Sequence, residues 1–153
     1  MNFLLAVVGR QGAGKSVLCQ AFERRGAHQV IFLEALSHIG VEYQRGDLSS
    51  QHETEQLTNP RVLEQIKQSL LMVQGVVEIP SFIDVAYLCQ DKSPFRYVVT
   101  VDCPDDVRLS HLQSQGYGDL ECERALGAGF ERKYYTNLAT DIFLNTVSKE
   151  HID

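Results

Sequence analysis

The chain predicts an α/β domain on a mostly parallel sheet, and three observations predict it. Five short apolar, β-branched runs recur: Phe3 to Val8, Val30 to Leu33, Val76 to Ile79, Tyr97 to Val101 and Ile142 to Leu144. Helical patterns lie between them, and strands that alternate with helices make a mostly parallel sheet. The first run leads through three glycines, in "VVGRQGAGKSVLC" (residues 7–19), into an amphipathic helix pattern.

Taken in order, Phe3 to Val8 reads as the first buried strand. Ser16 to Arg25 follows as a helix with Val17, Leu18, Ala21 and Phe22 on one face. Val30 to Leu33 is the second buried strand. The segment from Gly40 to Asn59 is polar and breaks the pattern, as either a substrate-facing insertion with some helix or a long solvated connection. Pro60 to Val73 is helical, with Val62, Leu63, Ile66, Leu70 and Leu71 apolar; Pro60 suits a first turn, where its missing N–H has no intrahelical acceptor. Val76 to Ile79 and Tyr97 to Val101 are buried strands, and Asp105 to Ser114 is a helix. A second polar stretch, Gln113 to Arg124, sits where a mobile lid would be useful. A final helix-like segment leads to the last buried strand, Ile142 to Leu144.

Composition narrows the function. At 153 residues the chain is one domain's worth, and 44% apolar with 22% charged residues is globular. A net charge of −6 in mixed signs argues against a protein that coats nucleic acid or an anionic membrane. The four cysteines, Cys19, Cys89, Cys103 and Cys122, form no CxxC pair and no cluster at zinc-ligand spacing, so they read as reduced, mostly buried thiols. Met1 to Val8 is too short for a signal-peptide core, and no run approaches a membrane span, which sets the expectation of a cytoplasmic protein.

Gly9-Arg10-Gln11-Gly12-Ala13-Gly14-Lys15-Ser16 satisfies G-x-x-x-x-G-K-[ST] between a strand and a helix pattern. Glycines let the backbone wrap a phosphate with N–H groups inward, and the helix begins at its positive dipole end. Lys15 adds a charge for the β/γ-phosphates and Ser16 a magnesium ligand. The expected binding set is Gly9, Gln11, Gly12, Ala13, Gly14, Lys15, Ser16 and Val17, with ATP and Mg2+ as cofactors. The fold class is then a three-layer P-loop NTPase fold with a five-stranded, mostly parallel sheet. Glu78 ends an apolar strand, where it could hold a metal-bound water, orient an acceptor hydroxyl or simply terminate the strand.

With those residues in place, nearly the whole chain resembles the dephospho-coenzyme A kinases, of the nucleoside monophosphate kinase-like branch of P-loop proteins. "VIFLEALSH" (30–38) is similar to the family's second strand and acidic segment, with Glu34 at the second acid, His38 at a following histidine and Phe32 where the first acid stands. "LTNPRVLEQI" (57–66) resembles the family's histidine-proline helix start, with Asn59 for histidine. "VVEIPSFID" (76–84) places Glu78, Pro80 and Asp84 in register. "VVTVDCPDDVRLSHL" (98–112) resembles the strand-four turn leading to the lid, and "ATDIFLNT" (139–146) the last strand with Asn145.

The resemblance implies phosphoryl transfer from ATP to a small-molecule hydroxyl, dephospho-coenzyme A first among acceptors, with Glu34 replacing the base and Asn145 at the nucleotide. The chain departs from the family at the lid, where His111 and Gln115 occupy the positions that usually carry arginines. Positive charge on the phosphoryl group then falls to Arg132 or Lys133; Arg108 and Arg124 could equally be solvated. The catalytic set is Lys15, Glu34, Glu78 and Arg132, with Ser16 and, through water, Glu78 at magnesium. The alternatives are a nucleotide or nucleoside kinase, and a nucleotide-binding regulatory protein that has lost transfer. Tyr134 and Tyr135 could stack on a base or pack in the core. The scattered histidines His28, His52, His111 and His151 suggest no metal site.

Overall fold

The computed structural model describes residues 2–32 and 59–146. Its centre is β1 (Leu4–Val8), whose five residues are all buried. A strand covered on both faces must be apolar throughout, and "LLAVV" is. β3 (Gly75–Glu78) pairs with β1 on one side, Ala6 opposite Val77, and β4 (Tyr97–Asp102) on the other, Ala6 opposite Val98. β2 (Gln29–Val30) and β5 (Asp141–Leu144) form the edges of a five-stranded sheet in the order β2-β3-β1-β4-β5, with every pairing parallel.

Successive strand residues face opposite sides, so β1 feeds two cores. Leu4, Ala6 and Val8 pack with Leu63, Ile66 and Leu70 of α2 (Pro60–Leu70), Val85 and Leu88 of α3 (Val85–Cys89) and Tyr135 of α6 (Arg132–Leu138). Leu5 and Val7 pack on the other face with Cys19 of α1 (Lys15–Arg24), Val76, Val99 and Val101. The predicted three-layer architecture is thereby present. A third, smaller cluster joins Leu112 of α4 (Asp105–Ser114) to Cys122 and Ala125 of α5 (Asp119–Gly127).

Local chemistry sets the helix starts. The Asn59 side chain caps α2 by accepting a hydrogen bond from the Arg61 N–H at 2.9 Å, and Pro60 follows in the first turn, as the sequence predicts. Asp84 caps α3 by accepting from the Tyr87 N–H. The Glu121 carboxylate reaches back to the Gly118 N–H at the start of α5.

Five readings of the sequence change. The second strand is two residues long; Ile31 is exposed, Phe32 turns into the core, and Leu33 lies outside the described residues. The last strand forms where expected but is exposed, with Ile142 at 56% and Leu144 at 61%, because it is a sheet edge that no described element covers. α2 ends at Leu70 rather than Val73, leaving Met72 exposed. The polar stretch 113–124 contains most of α5, hidden because that helix buries only Cys122 and Ala125, too few apolar residues for a period to show. Arg108, read as a charge that could equally be solvated, is fully buried.

Cys19, Cys103 and Cys122 are buried and all four thiols are free, in line with the composition. Among the described residues no helix is long and apolar enough to cross a membrane.

Ile66 is wholly buried between α2 and the sheet. Replacing it with alanine is expected to lower unfolding free energy by about 2–5 kcal/mol, read as a lower urea midpoint at unchanged slope.

Candidate functional site

The loop from Gly9 to Ser16 joins β1 to α1 at the carboxyl end of the sheet. Its defining feature is the direction of its carbonyls. Gly9 O accepts from Lys15 Nζ at 3.0 Å, Gln11 O from Arg108 Nε at 3.0 Å and Ala13 O from Asn145 Nδ2 at 3.0 Å. Gly12 O lies 2.7 Å from His111 Nδ1, which must carry the proton for this bond because a carbonyl only accepts. Arg10 O and Gly14 O accept from the backbone of Ala13 and Leu18 at 3.1 and 3.3 Å.

Every carbonyl from Gly9 to Gly14 is thus engaged. The N–H groups of Gly12, Gly14, Lys15 and Ser16, by contrast, make no hydrogen bond to any described residue. Such N–H groups beside the first turn of a helix form an anion cradle.

Two glycines are indispensable. Gly14 has φ +102°, and a Cβ there would lie 2.5 Å from Asn145 Nδ2; Gly12 has φ +81°, and a Cβ would meet Leu112 Cγ at 3.0 Å. The loop is therefore pressed against α4 and the segment after β5.

Beneath the cradle, Ser16 Oγ lies 2.9 and 3.1 Å from the two carboxylate oxygens of Glu78 at the end of β3. A hydroxyl and a carboxylate together are hard oxygen donors of the kind magnesium takes. Lys15 is nearly buried, and burial depresses its pKa to about 8 despite the opposing pull of Glu78. Cys19, one turn along α1, is pushed up to about 12 by burial and by Glu78, so it is an inert thiol.

The other predicted residues fall variously. Asn145 touches the loop directly through Ala13 O, and Val17 is half-exposed on α1. Arg132 forms a bidentate pair with Asp102 at the end of β4, Nη2 to Oδ2 2.7 Å and Nε to Oδ1 2.8 Å, which holds the Asp102 carboxyl below its ordinary range. Asn145 N donates to Asp102 O, so this pair borders the loop. Glu34 and His38 lie outside the described residues, as does the 40–58 part of the polar segment. Tyr134 and Tyr135 pack in the core with Phe130, their hydroxyls donating to Asp84 and to Ser81 O.

Sequence reading named Arg108, His111 and Gln11 but not these contacts, and gave no role to Arg10 or Tyr117. Arg10 donates to Cys103 O and pairs with Asp105 at 3.2 Å, and Gln11 Nε2 donates to the Tyr117 hydroxyl. No motif spacing signals them, because the partners lie about a hundred residues away along the chain.

No protein-family model matches the chain, and no curated protein matches it in sequence. Solved structures do match in fold. TT1252 from Thermus thermophilus aligns over 97% of this chain and 91% of its own, at 15% identity and a TM-score of 0.62. Shikimate kinase from Acinetobacter baumannii, in complex with shikimate, aligns over 95% and 84%, at 14% and 0.63. Shikimate kinase from Bacteroides thetaiotaomicron aligns over 93% and 85%, at 18% and 0.58. The chain therefore has the α/β fold of P-loop kinases.

An anion in the cradle would favour the ammonium form of Lys15. Binding of magnesium-ATP between pH 8 and 9 is accordingly expected to take up protons, because a pKa near 8 leaves a large neutral fraction that the ligand converts. The uptake should fade below pH 7, where Lys15 is already charged, and vanish in Lys15→Met. Titration calorimetry in buffers of different ionisation enthalpy measures it.

Proposed function

We propose that this protein transfers the γ-phosphoryl group of ATP to the hydroxyl of a small molecule. The observation that carries the reading is the Ser16–Glu78 contact beneath a loop whose carbonyls are all engaged while four of its N–H groups bond no described residue. Together these two features supply donors for a polyphosphate and hard oxygen ligands for its metal.

Ser16, and Glu78 through water, would hold magnesium, which when bound neutralises charge on the β- and γ-phosphate oxygens. The chain's own residues do the rest by positioning. Gly12, Gly14, Lys15 and Ser16 offer N–H donors, and the Lys15 ammonium, bonded to Gly9 O, swings to the phosphate. Transfer of this kind needs little covalent help from the protein; charge placed where it develops in the transition state lowers the barrier. In this reading Glu34 accepts the proton of the acceptor hydroxyl, the 40–59 segment flanks the acceptor, and the 113–124 region closes as a lid. Arg132 serves the phosphoryl group only once released from Asp102.

The acceptor is drawn from two likenesses. The sequence resemblance supports dephospho-coenzyme A, and the shared fold with shikimate kinases supports a small hydroxylated carboxylate; a nucleotide or nucleoside is the further choice. One observation favours a second reading, a nucleotide-binding regulator without transfer. Arg132 is committed to Asp102, and the two lid positions hold a buried histidine and an exposed glutamine.

ADP release from magnesium-ATP, measured with dephospho-coenzyme A, shikimate and nucleosides against an acceptor-free control, separates the readings. The kinase reading expects acceptor-dependent ADP and a product heavier by one phosphoryl group. Ser16→Ala and Glu78→Gln should each lower that turnover by at least about 100-fold, the scale of losing transition-state charge stabilisation. Tight binding with no turnover on any acceptor supports the regulator.

A further inference from the structure

Arg108 is the largest fully buried side chain among the described residues, and a buried guanidinium needs every donor met. Its Nε donates to Gln11 O and its Nη1 to Asp105 Oδ1 at 2.9 Å, but its Nη2 has no partner among the described residues. In a guanidinium, Nη2 shares an edge with Nε, so the spare donor lies on the side that faces the phosphate loop. The countercharge is also incomplete. Asp105 is shared with Arg10, and its side chain is 68% exposed, so water screens the carboxylate while the Arg108 side chain has no exposure at all. Lys15 adds a third cation to the same neighbourhood, against Glu78.

We propose that Arg108 is a positioning residue for polyphosphate binding: a fixed, buried cation behind the loop that turns the Gln11 carbonyl outward and supplies positive potential that the lid positions, His111 and Gln115, do not. This rests on the reading of the loop as a nucleotide site. The observations fit it together. A cation with an unmet donor and half of a screened carboxylate is costly in the free chain, and a polyanion a few ångströms away offsets that cost. Tethering Gln11 O also removes an oxygen dipole that would otherwise repel phosphate.

The test is the affinity of the full chain for magnesium-ATP, by titration calorimetry, in wild type, Arg108→Met, Arg108→Lys and Asp105→Asn, with folding checked by circular dichroism. Arg108→Met is expected to weaken binding about tenfold or more, and Arg108→Lys, which keeps the charge, to recover part of the loss. Asp105→Asn should tighten binding about two- to fivefold, because it removes the carboxylate that competes with the phosphates. A purely structural role for the cluster predicts the opposite sign. Wild-type-like affinity in a folded Arg108→Met, or Asp105→Asn binding no tighter than wild type, overturns the inference. If Arg108→Met does not fold, the sign for Asp105→Asn decides alone. Failure of the wild type itself to bind magnesium-ATP would instead overturn the nucleotide reading.

Discussion

The engagement of every carbonyl from Gly9 to Gly14 is the constraint on which the rest of the site depends. A peptide unit carries its N–H and C=O on opposite edges, so holding Gln11 O and Ala13 O from outside the loop leaves the Gly12 and Gly14 N–H groups on the other side. Four of those oxygens are held by side chains, from Lys15, Arg108, His111 and Asn145. Lys15 belongs to the loop itself; the other three come from α4 and from the end of β5. The sheet order explains how they meet: β4 and β5 lie beside β1, so the helix after β4 and the residue after β5 arrive where the loop leaves β1.

The electrostatics follow from that packing. Burial costs Lys15 part of its charge and leaves Arg108 Nη2 without a partner among the described residues. Glu78 and Asp105 offset this incompletely, the first drawn to Ser16 and the second mostly in water. Arg132 and Asp102, by contrast, satisfy each other at the border of the site. The positive charge buried at the loop is therefore less fully compensated than that of the Asp102 pair.

Much of this was legible in the linear chain. The Gly9–Ser16 loop is local: its glycines, Lys15 and Ser16 occupy eight consecutive residues, and a strand and helix flank them. Glu78 could be singled out as an acid at a strand end, although its contact with Ser16 shows only in the fold. The resemblance located Asn145. Arg108 could not be read, since an arginine on a helix of weak amphipathic pattern looks solvated; its burial is decided by Gln11 and Asp105, one of them 97 residues away.

What the sequence by itself determined was the alternation of strands and helices and the loop at the end of the first strand, because apolar period and glycine placement act over a few neighbouring residues. The tertiary structure alone decided which strands lie at the edges, so that Ile142 to Leu144 is exposed despite an apolar sequence. It also decided which distant side chains hold the loop open. Both depend on strand order and on contacts across the chain, where a residue's environment is set by partners that no local pattern names.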